Sequence, residues 1–390
     1  MKHCKKLLPA YCFILSIIMQ PCVNGLFAQT VMHNDAWALL PFTKVNAYNP
    51  ILLPGNHSFN DPITHTQTFW EAAHVFNPAI IVKNDSVFML YRAQDSAGTS
   101  RIGMAVSTDG FHFTKMPKPV LFPDNDAFKK YEWPGGCEDP RIVMDENGTY
   151  CLTYTAFDGH LARLMVATST DLMHWKKQGP AFVNAYSGKY LNVWSKSGAI
   201  VATYTNNNII ATKIKGQYWM YWGDQYIWCA TSPDLIHWKP VEMPKGTQPA
   251  IALRGQAQNM PQLQIALPTR KGKFDSDLVE SGPAAMLTPN GIRLLYNGRN
   301  IPAIGDTSLP EGTYAAGQAL FNKNNPLQLK NRLQHYFMKP TEPYEINGQV
   351  NHVCFIEGLV HFQQQWFLYY GTADSKIAVA TCPKPLLLHP

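Results

Sequence analysis

Apolar and polar positions along this chain fall into short strand-like phrases, and one phrase recurs five times. An apolar run crosses a Gly-, Asn- or Asp-containing turn into a second run that ends in a tyrosine-containing cluster. In most copies a third run of the form I-x-V-A-T-S follows. β-branched and aromatic runs separated by such turns predict strands. The copies cover residues 77–82, 87–92 and 102–107; then 139–143, 150–154 and 164–169; then 197–200, 218–224 and 227–232. The fourth is 281–287, 292–297 and 314–320, and the fifth 357–362, 366–371 and 377–380. Three copies close on the same polar turn and aromatic, at 107–113, 169–175 and 232–238, which predicts a turn into an outer fourth strand. A repeat of roughly 60 to 80 residues with four strands each is the pattern of propeller blades. The chain is therefore expected to be all-β, a single five-bladed β-propeller; a β-sandwich seldom repeats a three-strand phrase five times.

Ahead of the repeats, Lys2, Lys5 and Lys6 precede an apolar run from Tyr11 to Met19, and Ala28 stands just before Gln29. This is the layout of a secretory signal peptide, with a run too short to span a bilayer. Residues 1–28 are expected to be the signal and 29–390 the propeller, acting in the periplasm or outside the cell, with no stable membrane association after cleavage. Without those three lysines, 27 acidic residues balance nearly all of the 33 Lys and Arg, so nothing calls for nucleic acid as a partner. The five cysteines beyond residue 28 are scattered and show no C-x-x-C spacing, so no disulfide framework, metal site or cofactor is expected.

In a propeller the first strand of each blade lines the central channel, and the antiparallel second strand ends at the rim where the first begins. That rule gathers a defined set of side chains. Strand starts supply Asn77, Glu138, Asp139, Lys196, Ser197, Glu280 and Glu357; strand ends supply Arg92, Asp95, Asp158, Asp224, Asn297, Arg299 and Asp374. Asp95, Asp158 and Glu138 serve equally well as strand or turn caps. Trp70, Trp133, Trp222, Trp228 and Tyr314 lie near the same rim and offer faces for sugars, or core. Paired carboxylates are what cleavage of a glycosidic bond needs, one protonated to assist the leaving oxygen and one ionised to activate water. Crowding like charges raises at least one of their pKa values. His57, His65, His74 and His352 read as hydrogen-bonded or surface histidines.

The run Gly135-Gly136-Cys137-Glu138-Asp139-Pro140-Arg141 resembles the signature of glycoside hydrolase family 130, the β-mannoside phosphorylases and β-mannosidases. Asn77-Pro78-Ala79, Tyr91-Arg92-Ala93, Glu280-Ser281-Gly282-Pro283 and Tyr369-Tyr370-Gly371-Thr372-Ala373-Asp374 are similar to the same family, in order from about residue 40 to 382. The resemblance implies a five-bladed propeller, a manno-oligosaccharide substrate, and Asp139 as proton donor acting through a sugar hydroxyl. It implies that Asn77, Arg92 and Asp374 hold the first mannose, with Glu138, Arg141, Lys196, Asn297, Arg299 and Glu357 as further substrate-binding candidates. Family phosphorylases carry a His-Arg-Pro type segment after the corresponding strand of the third copy; here that strand runs into Trp222-Gly223-Asp224. A carboxylate there repels phosphate, which implies the inverting, exo-acting hydrolytic branch on β-1,2-linked substrates, with Glu280 or Asp224 as base. The alternatives are a phosphorylase using Arg92, Arg141, Lys196 and Lys213 as a cationic cradle, and a carbohydrate-binding propeller without catalysis. The insertion at 244–277 leads directly into Glu280 and bears on chain-length preference.

Overall fold

The computed structural model describes Met1 and residues 35–205, 207–244 and 263–385. Two compact parts are distinguished, Met1–Ala36 and Trp37–Pro390, and the second carries all that follows. The signal-peptide reading of residues 1–28 lies, apart from Met1, outside the described residues, as does most of the 244–277 insertion.

Among the described residues the fold is all-β, with two helices of four residues each. Five antiparallel strand sets succeed one another, as the repeat count requires. Repeat 1 comprises His74–Lys83, Ser86–Gln94, Ser100–Ser107 and Thr114–Lys115. Repeat 2 comprises Gly136–Met144, Tyr150–Phe157, Ala162–Ser169 and Lys176–Pro180. Repeat 3 runs Ala199–Thr205, Tyr218–Trp222, Ile227–Ser232 and Lys239–Pro240, and Asn208–Ala211 adds a hairpin to its first strand that the sequence reading did not foresee. In repeat 4 the first strand is split into Leu278–Ser281 and Ala285–Thr288, followed by Gly291–Arg299, Tyr314–Asn322 and Asn325–Arg332. Repeat 5 has Cys354–Phe362, Gln365–Thr372 and Lys376–Cys382, and its fourth strand, Thr43–Lys44, comes from the other end of the chain.

Inner strands are buried on both faces, as in Tyr150–Phe157, where only the last residue is partly exposed. Strands covered on both sides read as continuous apolar runs. Four repeats share a device in their interior. A fully buried carboxylate on the segment leading into the first strand accepts the hydroxyl of a second-strand tyrosine and a cation from the fourth strand. Glu71 takes Tyr91 at 2.9 Å and Lys115 at 2.8 Å; Glu132 takes Tyr154 at 2.8 Å and Lys177 at 2.6 Å. Asp275 takes Tyr296 at 2.7 Å and Arg332 at 2.6 Å; Glu345 takes Tyr370 at 2.9 Å and Lys44 at 2.6 Å. Buried charges of this kind persist because they are paired and hydrogen-bonded. In repeats 1 and 4 the third-strand residue facing the tyrosine is Gly103 or Gly317, where a Cβ would run into the ring of Tyr91 or Tyr296. Repeat 3 differs: Tyr221 donates to the Pro326 carbonyl at 2.8 Å.

Candidate functional site

Four of the five first strands are interrupted near their start. Register shifts fall between Phe76 and Pro78, Glu138 and Arg141, and Ile356 and Gly358, so Asn77, Asp139 and Glu357 sit in bulges. Ser197 precedes the first strand of repeat 3 and Gly282-Pro283-Ala284 splits that of repeat 4. Bulges re-aim side chains out of the pleat. Asn77, Asp139 and Ser197 adopt φ values of 48°, 45° and 60°, a region Asn and Asp tolerate better than most residues. The interruption level is thus where polar side chains leave the sheet together.

They meet at a cavity of about 390 Å³ lined by Asn77, Arg92, Asp139, Lys196, Glu280, Arg299, Tyr314 and Asp374 among others. Asn77 Nδ2 donates to Asp139 Oδ1 at 2.8 Å, and Arg92 Nη1 reaches the same oxygen at 3.1 Å while its Nη2 holds Glu138 Oε1 at 2.6 Å. Lys196 Nζ stands 3.5 Å from Asp139 Oδ2 and 3.3 Å from Glu280 Oε1, so one ammonium bridges the two carboxylates. Ser197 Oγ donates to the same Glu280 oxygen. Asn77 Oδ1 is buried at the cavity with no hydrogen-bond partner among the described residues.

Charge states follow from this wiring. Burial alone would raise the Asp139 carboxyl, but Arg92, Lys196 and Asn77 outweigh it and hold it below the ordinary range. For Glu280 burial prevails: its pKa is raised, although Lys196 and Ser197 oppose the rise and Asp224 adds to it. Burial pushes Asp374 up to about 6 against the pull of Arg92, and pushes Glu357 well up against Arg141. Lys196 is itself raised by Glu280, Asp139 and Asp224 despite its burial. Before substrate arrives, Asp139 is therefore the ionised member and Glu280 the one that retains a proton more readily. That is the reverse of the donor and base roles that the family resemblance implies.

The remaining candidates are distributed as follows. Glu138 lies beside Arg92, under the cavity wall. Arg141 spends Nε and Nη2 on the carbonyls of Gly282 and Ser281, with Nη1 3.3 Å from Glu357. Asn297 is fully buried and clamps Ile356 through both amide atoms. Neither Arg141 nor Asn297 lines the cavity: Arg141 ties repeat 2 to the backbone of repeat 4, and Asn297 ties repeat 4 to the backbone of repeat 5. Arg299 lines it and pairs with Asp277 at 2.9 Å. Asp224 does not line it; it accepts the Trp194 indole N–H at 2.9 Å, and its charge acts on Lys196 and Glu280. Asp95 and Asp158 take turn amides and pair with Arg101 and Arg163, which is the capping role. Trp70, Trp222 and Trp228 are core, Trp133 does not line the cavity, and of the five aromatics Tyr314 alone does. Lys213 sits over the ring of Tyr218, where the second strand of repeat 3 starts, at the end away from the cavity. Sequence reasoning missed Glu311, Asn351 and Phe355, which line the cavity from the segments before Tyr314 and around the start of Cys354–Phe362. A rule confined to first-strand starts and second-strand ends does not reach them.

The chain matches known proteins over nearly its whole length. Residues 50–388 match the family model for glycoside hydrolase family 130, described as β-1,4-mannooligosaccharide phosphorylase. The chain belongs to that family. Among its curated relatives, a 1,2-β-oligomannan phosphorylase of Thermoanaerobacter sp. (strain X514) is 28% identical over 80% of this chain and 90% of that protein. Among solved structures, a glycosyl hydrolase from Bacteroides ovatus is 42% identical over 90% of this chain and 98% of that one, with a TM-score of 0.82. Another, described with glycoside hydrolases of the family that target β-1,2 mannosidic linkages in Candida mannan, is 42% identical over 91% and 98%, with a TM-score of 0.84.

Proposed function

We propose that this chain is an inverting, exo-acting glycoside hydrolase that releases mannose from β-mannosides, β-1,2-linked manno-oligosaccharides foremost, on a five-bladed β-propeller. The observation that carries the reading is the charge balance of the cavity. Its cations, Arg92, Lys196 and Arg299, each face a carboxylate already, and four acids, Asp139, Glu280, Glu311 and Asp374, line the same walls. A phosphate dianion entering there meets surplus negative charge, whereas a water meets acceptors. The cradle that phosphorolysis would use is also reduced, since Arg141 is committed to backbone and Lys213 lies at the far end of its repeat. Identity of 42% to structures described as hydrolases, against 28% to the phosphorylase above, points the same way.

Under this reading Asn77, Arg92 and Asp374 hold the terminal mannose, and the free Asn77 oxygen accepts one of its hydroxyls. The productive form is the one in which Asp139 carries the proton and Glu280 is ionised, the less populated arrangement of the free protein; Asp139 gives its proton to a sugar hydroxyl, which passes its own to the leaving oxygen. Glu280, with Asp224 beside it, takes a proton from the water that attacks the anomeric carbon as the glycosidic bond breaks. One ammonium close to both carboxylates limits their nearest oxygens to at most about 7 Å apart, so only the short end of the ~6.5–9.5 Å range of inverting pairs is open to them. The second reading is phosphorolysis, favoured by the names of the curated relatives. Incubating the protein with β-1,2-mannobiose, with and without inorganic phosphate, separates the two. Release of mannose at an equal rate in both supports hydrolysis; mannose 1-phosphate formed only with phosphate refutes it.

A further inference from the structure

One large aromatic at the site is neither core nor cavity wall. Trp194 is 36% exposed and lies on the segment joining repeats 2 and 3. Its place is nonetheless fixed from several sides. The indole N–H donates to Asp224, and the ring packs edge-on against Phe157 with centroids 6.3 Å apart. Ser195 next to it donates its N–H to the Ala162 carbonyl and accepts the Leu164 N–H. Two residues before, Asn192 accepts from Arg163, which Asp158 holds at 2.6 Å. Gly223 N–H bonds the Lys196 carbonyl, tying the segment to the Asp224 turn. Four consecutive residues thus carry an exposed indole, the ammonium that bridges Asp139 and Glu280, and the serine on Glu280.

We propose that Trp194 is a stacking platform for a second sugar ring, the first residue of the leaving portion of the oligosaccharide. This rests on the reading that the terminal mannose occupies the cavity. In an exo-acting pocket every further ring emerges from the mouth; Trp194 lies two residues from Lys196 of the cavity wall and one hydrogen bond from Asp224, whose charge acts on Lys196 and Glu280. A pyranose presents axial C–H groups to a flat aromatic face and hydroxyls at its edge. Trp194 supplies the face and Asp224 a carboxylate beside it. Aromatic anchors with a few placed polar groups are the usual make-up of small-molecule sites. An indole held at both ends loses little freedom when a ring settles on it, so contact converts to affinity with small entropic cost.

The test compares Trp194→Phe, Trp194→Leu and Trp194→Ala with the parent on β-1,2-mannobiose and on β-mannosyl fluoride, whose leaving group has no ring. The expected result is a fall of about tenfold in the ratio of kcat/KM for mannobiose to that for the fluoride in the Leu and Ala variants, equivalent to ~1.4 kcal/mol. The loss resides in KM, and Phe retains most of the parent ratio. Leu fills the space without a flat face, so an Ala variant that fails to fold leaves the comparison intact. An unchanged ratio in the Leu variant overturns the platform, whether both activities fall together, as they would if Trp194 served only to place Asp224, or neither falls. A parent protein inert towards both substrates refutes the mannosidase reading itself, and the platform with it.

Discussion

Lys196→Met removes the one charge that touches both carboxylates while keeping most of the side chain's length and its apolar stem. At 3.3 and 3.5 Å, with an effective dielectric of about 20, the ammonium attracts each carboxylate by about 5 kcal/mol before desolvation is counted. Opposite charges at such range shift carboxyl pKa values by ~1–3 units. Lys196 is the largest influence opposing the rise of Glu280 and the second, after Arg92, holding Asp139 down. Without it both carboxyls titrate at higher pH. A base must be ionised, so the acid limb of the kcat/KM profile moves up by ~1–3 units. An acid must be protonated, so the alkaline limb, to the extent that Asp139 sets it, moves the same way. The whole bell therefore shifts to higher pH, and below the old optimum the rate falls by about 10- to 1,000-fold. Initial rates on β-1,2-mannobiose from pH 4 to 9 measure this, with Lys196→Arg, which keeps the charge, expected to hold the bell in place. A Met variant whose rate drops equally at every pH would refute the bridging role and leave Lys196 as a mere substrate contact.

Two further expectations concern the fold and its titration. Tyr91→Phe deletes the hydroxyl on Glu71 but leaves Lys115 and His57 on that carboxylate, so urea unfolding should show a loss of about 1–2 kcal/mol with mannoside turnover retained; an unchanged midpoint would show that the tyrosine contributes only its ring. Asp374 holds its proton up to about 6 in the folded state against an ordinary value of 3.8, so its contribution to stability is fully present below about 4 and is lost as pH rises through 6. Asp374→Asn should accordingly gain on the parent by ~2–3 kcal/mol between pH 4 and pH 7.5 in paired unfolding curves, and a constant difference would contradict the raised value.

What was legible in the sequence, and what was not, divides along physical lines. The strand sets were readable because each inner strand is covered on both faces, which forces the same apolar phrase to recur. Asn77, Arg92, Asp139, Lys196, Glu280 and Asp374 were readable as neighbours because strand starts and strand ends share one rim. Asn297 obeys the same positional rule and Arg141 lies two residues past Asp139, yet their polar atoms are claimed by backbone of other repeats. For Arg141 the register shift that follows Glu138 is enough to turn a side chain from one face to the other. Trp222 and Trp228 were undecidable from spacing, since an aromatic fits a core as well as a sugar. The buried carboxylates Glu71, Glu132, Asp275 and Glu345 left no periodic trace, because each sits in a connecting segment some 20 residues from its tyrosine. The fourth strand of repeat 5 could not be found by searching near repeat 5 at all.

That last strand has a consequence for how the molecule comes into being. Thr43 pairs with Thr381 and Lys44 with Ala380, and Lys44 also supplies the cation on Glu345. The contact joins residues 43–44 to residues 380–381, so its loop-closure cost is met only after residue 381 has been made. Four repeats can assemble as synthesis proceeds, but the fifth stays open until Thr43–Lys44 and Lys376–Cys382 are both free to meet. Trimming either terminus therefore damages the same sheet, and a chain cut before residue 376 or begun after residue 44 lacks a strand of the repeat that carries Asp374.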